Sequence, residues 1–204
     1  MVKAIQFHKT GRPSVLKWEE VKLGRPKKGQ ALVRHTAIGL NYIDTYQRSG
    51  LYPLPMPSGL GGEAAGVVEA VGAGVKHVKV GDRVAYAGGG PGAYSEARIM
   101  AADPLVRIPR GISDEAAAAM MLKGMTVQYL IRQIYKVKAG DTILTHAAAG
   151  GVGLLLVQMA KRRGARVIGT VSTPEKEALA REAGADEIIR YTEVDFETET
   201  RRLT

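Results

Sequence analysis

Apolar and polar residues alternate only in short stretches over residues 1–110. The runs VKAIQFH (2–8), VLKWEEV (15–21) and QALVRHTAIGL (30–40) are separated by KTGRP and LGRPKKG, which predicts β-strands joined by turns. AAGVVEAVGAGV (64–75), GDRVAYA (81–87) and AYSEARIM (93–100) continue the pattern. Strands of this length and spacing predict a compact barrel or sandwich. GLYPLPMPSGLGG (50–62) is too rich in Pro and Gly for a helix or strand and is expected to be a loop.

The pattern changes near residue 112. In PRGISDEAAAAMMLKGMTVQYLIRQIYK (109–136), Ser113 or Asp114 is placed to cap a helix of Ala, Met and Leu, all good helix formers. The apolar run TILTH (142–146) then predicts a strand, followed by a helix over 151–163 closed by Gly164. ARVIGTV (165–171) is a second strand. A second helix opens at Thr173-Pro174 and closes at Gly184, DEIIRY (186–191) is a third strand, and TEVDFETETRRLT (192–204) begins another helix. This β-α-β-α-β order predicts a parallel sheet covered by helices. The fold class is therefore α/β plus β, with a β domain over 1–112 and a parallel α/β domain over 113–204.

Between the first of these parallel strands and its helix lies HAAAGGVG (146–153). In a dinucleotide-binding βαβ unit, glycines turn the strand tightly, bring backbone N–H groups against a pyrophosphate and let the helix pack on the sheet. The pyrophosphate then sits at the helix N-terminus, where unpaired amides and the dipole favour anions. Aligned to G-x-G-x-x-G, the chain offers Ala148, Gly150 and Gly153, with Gly151 extra, so the first glycine of the fingerprint is replaced. The strand before, the helix after and the second βα repeat make the match specific. Ala149, Gly150, Gly151, Val152 and Gly153 are the expected phosphate-binding residues.

An NAD site needs Asp or Glu at the end of the next strand, for the ribose 2′-OH. That strand ends GTVSTPEK, with Ser172 where the acid should be and Lys176 one helical turn later. A hydroxyl and an ammonium suit a 2′-phosphate, which predicts NADPH. Glu175 and Glu177 flank Lys176 but are expected to point elsewhere on the helix.

Composition narrows the classes. The 204 residues are 45% hydrophobic and 24% charged, an ordinary globular balance. No apolar run approaches membrane-helix length, and the N-terminus shows no signal-peptide core. Cysteine is absent, which excludes disulfides and thiolate ligands and fits a reducing cytoplasm. The four histidines, His8, His35, His77 and His146, have no metal spacing, so no metal site is expected. The net charge of +9 raises a nucleic-acid reading. The basic groups are scattered, however, and no aromatic residues are interleaved with them as stacking platforms.

GLNYIDTYQRSGLYP, GLGGEAAGVVEAVGAGVKHVKVGDRVAY, LKGMTVQYL and HAAAGGVG resemble the zinc-free quinone oxidoreductase branch of the medium-chain dehydrogenase/reductase superfamily, to which zeta-crystallin belongs. The resemblance implies a GroES-like β barrel followed by a Rossmann domain, with NADPH as reductant and quinones as substrates. Zinc-dependent relatives carry Cys in the motif that reads GLNYIDT here and His before the acid of the GE pair. This chain shows Asn41 and Gly62 in those regions. The resemblance places Asn41, Tyr46 and Tyr52 at the reaction centre, in a cleft between the domains. Asn41 is a candidate to donate to a carbonyl oxygen or to orient a nicotinamide ribose, and the tyrosines offer phenol donors and a wall for a flat ring. It also places Lys123, Thr126 and Tyr129 against the cofactor, with Tyr191 near the adenosine end. Asp44 and Glu63 read as structural supports.

A complete Rossmann domain has six strands and this chain supplies three, so the expectation is a C-terminally truncated member with reduced or no activity. The family is usually homodimeric, and its dimer edge and the segment returning to the β domain are not among these residues. Two rival readings remain open: an enone C=C reductase of the same superfamily, and a non-catalytic nucleotide- or RNA-binding protein.

Overall fold

The structure, a computed structural model, describes residues 1–204 and divides into two compact units, Met1–Leu122 and Lys123–Thr204. In the first, β1 (Val2–Phe7), β2 (Lys17–Val21), β3 (Gln30–Gly39), the helix α1 (Tyr42–Ser49), β4 (Ser58–Gly59), β5 (Glu63–Val71), β6 (Arg83–Ala87), β7 (Ala97–Ala101) and β8 (Val106–Arg107) follow in order. The strands form two sheets, β2-β1-β4 and β7-β3-β5-β6-β8. They do not close into a single barrel, because β1 pairs with β2 and β4 and meets the larger sheet through one bridge, Ala4 to Ser95. The core is small and aliphatic: Val33, Val68 and Val84 are fully buried with Tyr86.

The Tyr86 hydroxyl lies 2.8 Å from His35 Nε2, and His35 Nδ1 lies 2.8 Å from the Ser95 carbonyl. A carbonyl only accepts, so Nδ1 carries the proton and Nε2 accepts from the phenol. Burial, joined by the charge of Arg98, pushes this imidazole below its ordinary range, against the raising effect of the Ser95 carbonyl.

The stretch between β3 and β5, read as loop from its Pro and Gly content only over 50–62, is preceded by α1. Asn41 opens this helix: its N–H donates to Asp44 Oδ2 at 3.0 Å, three residues into the turn. Gly50 closes it in the left-handed region at φ 92°. Within 50–62 only Ser58–Gly59 is extended, pairing with Phe7 and Gln6.

The long helix α2 runs from Asp114 to Tyr129, with Ser113 Oγ accepting from the Ala116 N–H at 3.1 Å. The change in sequence character near residue 112 marks where this helix starts. The division between the units falls later, inside it, because Ala117 and Ala118 pack with Ala65 and Ala85 of the β unit.

The second unit holds the rest of α2, β9 (Thr142–Thr145), α3 (Gly151–Arg162), β10 (Arg166–Val171), α4 (Pro174–Glu182), β11 (Glu187–Arg190) and α5 (Phe196–Leu203). Its sheet is parallel, in the order β11-β10-β9. Central β10 is buried on both faces from Val167 to Val171, as its unbroken apolar run requires. Val127, Ile131, Val157, Ala160 and Val167 build the core beneath it. No helix is long and apolar enough to cross a membrane.

Candidate functional site

Two groups of predicted residues assemble, one in each unit. In the Lys123–Thr204 unit the chain leaves β9, turns through 146–150 and enters α3 at Gly151. Ala147 takes the left-handed conformation at φ 51°, and the turn is pinned by Gly150 N–H to Ala147 O at 2.8 Å and Ala148 N–H to Thr170 O at 3.1 Å. A Cβ on Gly153 would stand 2.3 Å from the Ala147 carbonyl oxygen. Only glycine lets the first turn of α3 sit this close to the loop. The fingerprint's last glycine thus packs helix against turn, and the Val152 side chain turns to the core. The N–H groups of Gly151, Val152 and Gly153 have no carbonyl partner within the helix. They and the helix dipole suit an anion.

Beside this turn, Ala147, Ala149, Gly150, Val171, Ser172, Lys176 and Tyr191 line a cavity of about 140 Å³. Lys176 Nζ donates to Ser172 Oγ at 2.9 Å. The two flanking acids are engaged elsewhere. Glu177 accepts from Arg181 and Arg190, and a hydrogen bond with the Thr173 side chain holds the Glu175 carboxyl below its usual range. Thr173 also caps α4, accepting from the Lys176 N–H at 3.3 Å. That cap fixes where Lys176 stands.

A neighbouring cavity of about 420 Å³ is lined by His146, Ala147, Thr170, Tyr191 and Phe196. His146 Nδ1 lies 3.1 Å from Thr170 Oγ1, and its ring meets Phe196 edge-on at 5.2 Å. Neither His146, which has no metal spacing, nor Phe196 is among the site residues expected from sequence. The place of His146, the last residue before the glycine turn, was the available signal. Lys123 lies across the start of α3, its Cδ 2.9 Å from where a Gly151 Cβ would be. Thr126 and Tyr129 follow on the same helix and line neither cavity.

In the Met1–Leu122 unit, Asn41 and Asp44 are buried beside Glu63, which is fully enclosed. Asn41 Nδ2 donates to Glu63 Oε2 at 2.6 Å, and Glu63 Oε1 accepts the Leu122 N–H at 2.7 Å. A carboxylate only accepts, so Glu63 fixes which way the Asn41 amide faces and leaves Oδ1 on the other side. Asp44 Oδ2 accepts from the Tyr94 hydroxyl at 2.7 Å. Burial, reinforced by this carboxylate, pushes the Tyr94 phenol far above its ordinary range. A cavity of about 210 Å³ opens here, lined by Asn41, Asp44, Gln47, Gly62, Pro91 and Leu122 among others.

Three phenol rings stand on and beside α1. Tyr46 is 5.2 Å from Tyr42, edge-on, and 5.4 Å from Tyr52, and the Tyr52 N–H donates to the Tyr46 carbonyl at 3.2 Å. Tyr42 is not among the site residues expected from sequence. Its i, i+4 spacing to Tyr46 places both on one helix face, but that signal is visible only once α1 is known to be helical. Tyr86 is a core residue.

The histidines stand in four separate settings: His8 with Glu19, His35 with Ser95 and Tyr86, His77 with Ala102, and His146 with Thr170. No group of three His, Cys, Asp or Glu residues is arranged to hold a metal ion.

Residues 27–110 match the alcohol dehydrogenase GroES-like domain, and residues 151–204 match the zinc-binding dehydrogenase domain, whose description is met here without a ligand cluster. A quinone oxidoreductase of Pseudomonas aeruginosa is 55% identical across the whole chain, which covers 63% of that protein. A 2-haloacrylate reductase of a Burkholderia species is 48% identical, again with all of this chain and 63% of the relative covered. The crystal structure of Escherichia coli quinone oxidoreductase complexed with NADPH superimposes with a TM-score of 0.96 at 50% identity, over 98% of this chain and 62% of that one. The chain thus spans a little under two thirds of the length of these relatives. With a GroES-like unit and a parallel α/β unit that match these two domains, the chain belongs to the medium-chain dehydrogenase/reductase superfamily, and quinone oxidoreductases are among the members it is similar to over its whole length.

Proposed function

We propose that the chain is the nucleotide-binding and substrate-binding part of an NADPH-dependent, zinc-independent quinone reductase. The observation that carries the reading is the Lys176–Ser172 pair at the end of β10, where an NAD site needs an acid. The N–H groups that open α3 would hold the diphosphate, Ser172 and Lys176 the 2′-phosphate, and Tyr191 the adenosine. Lys123, Thr126 and Tyr129 would serve the nicotinamide half.

When bound, NADPH supplies a hydride. The work left to the protein is to hold the acceptor ring, exclude water and donate to the oxygen on which charge develops. Tyr46 and Tyr52 have rings for the first task and hydroxyls for the last. Asn41 has its amide nitrogen engaged by Glu63, which favours the orienting role over donation to a carbonyl.

The test is nicotinamide fluorescence on titration with NADPH and with NADH, followed by NADPH consumption with 1,4-naphthoquinone. Tighter binding of NADPH and formation of hydroquinone support the reading. Equal binding of the two nucleotides contradicts the cofactor assignment.

A second reading, reduction of a conjugated C=C bond, is favoured by the 48% identity to a 2-haloacrylate reductase. It needs the same hydride and the same oxyanion donor. A saturated acid formed from 2-chloroacrylate, with no turnover of naphthoquinone, would select it.

A further inference from the structure

We propose that the β unit docks on an anionic phospholipid surface through the end formed by loops 22–29 and 72–81. The loops read KLGRPKKG and GAGVKHVKVG and contain six cations, Lys22, Arg25, Lys27, Lys28, Lys76 and Lys79, with no acid between them. All six are exposed, and none makes an ion pair.

Met1–Leu122 carries 16 Lys and Arg against 10 Asp and Glu. The excess of six equals the number of cations on these loops, and over the rest of the unit ten basic residues balance ten acidic ones. Asp82, which accepts the Lys79 N–H, and Glu20, two residues before Lys22, are the acids nearest in the chain.

The loops are fixed against each other. The Gly29 N–H donates to Ala73 O at 2.9 Å and the Gly72 N–H to Gln30 O at 2.7 Å. A Cβ on Gly72 would fall 1.7 Å from the Lys27 carbonyl oxygen, so only glycine permits this approach. Gln30 adds a side-chain bond from the Lys27 N–H at 2.9 Å.

Such an end suits a lipid headgroup layer better than a nucleic acid. Neither loop contains Phe, Tyr or Trp, the platforms on which single-stranded bases stack. The exposed apolar groups beside the cations are aliphatic, Val80 at 58% and Val71 at 37% exposure. Clustered Lys and Arg with a small aliphatic contact are what the negative surface of a bilayer attracts. The proposal does not depend on the reductase reading.

The test is co-sedimentation with mixed phosphatidylcholine–phosphatidylglycerol vesicles and with pure phosphatidylcholine vesicles. Two triple variants are compared with the parent: Lys27→Gln/Lys28→Gln/Lys76→Gln, and Arg132→Gln/Lys136→Gln/Lys138→Gln, which removes equal charge from exposed positions of the other unit. We expect binding to the anionic vesicles alone, weakening with salt. The first triple should lose on the order of a hundredfold in affinity while the second keeps most of it, both melting like the parent. No binding to anionic vesicles, or equal loss in both triples, overturns the proposal. So does tighter binding to a single-stranded oligoribonucleotide than to vesicles, lost in the same first triple.

Discussion

The Lys176 ammonium donates to the Ser172 hydroxyl at 2.9 Å across the first turn of α4. This contact is local, between the end of a strand and the helix that follows, and the Thr173 cap sets its geometry. An oxygen of a 2′-phosphate entering the 140 Å³ cavity would meet a hydroxyl and a cation 2.9 Å apart.

Replacing Lys176 with Ala should weaken NADPH by about tenfold, as expected for a charge-assisted hydrogen bond, and leave NADH unchanged. Fluorescence titration of both nucleotides measures this. A parallel loss for NADH would mean that Lys176 supports the loop and does not select the phosphate.

Gly153→Ala should destabilise the second unit by about 1–3 kcal/mol, because the new methyl meets a backbone carbonyl that cannot move aside. Gly124→Ala makes the contrast: nothing stands within 4 Å of its added Cβ. In the middle of α2 the change should stabilise by about 0.5–1 kcal/mol. Urea midpoints of the two variants should move in opposite directions.

His35 gives the β unit a pH dependence with a definite sign. Its folded pKa is depressed by burial, so the unfolded chain binds the proton more readily. The stability tied to neutral His35 is present above the ordinary histidine pKa of about 6.5. It is lost as pH falls from there through the lower folded value. Protonation would also cost the bond that Nε2 accepts from Tyr86. Denaturant midpoints measured from pH 7.5 down to about 5.5, above the carboxylate range, should fall in the parent and stay flatter in His35→Gln.

Tyr46 stands between two other rings. If a flat acceptor packs there, Tyr46→Ala should weaken binding of 1,4-naphthoquinone about five- to tenfold. Tyr135→Ala, at an exposed ring elsewhere, should leave it unchanged. Isothermal titration calorimetry separates the two.

The parallel half of the fold was legible because its signals are local and agree. β-branched runs, Thr173-Pro174 at a helix start, and Gly164 and Gly184 at helix ends each mark a boundary within a residue or two. The β unit was less so. Tyr42, Ile43, Thr45 and Tyr46 are poor helix formers, so α1 announces itself only through Asn41 and Asp44 at one end and Gly50 at the other. Pairing of β1 with β2 and β4 depends on partners distant in the chain, which alternation alone does not reveal. The glycine turn before α3 and the places of Ser172 and Lys176 at the end of β10 could be read from spacing. The tilt of His146 toward Phe196 and the grip of Glu63 on Asn41 are tertiary contacts and carry no such signature.

The most direct measurement is an ¹⁵N–¹H spectrum of the chain titrated with NADPH. The amides of Gly150, Gly151, Val152 and Gly153 should shift most, together with Ser172, Lys176 and Tyr191, and in Lys176→Ala the shift at Ser172 should shrink. Saturating NADPH that leaves the amides at 150–153 in place, or moves a different set, would contradict the assignment of this turn as the dinucleotide site.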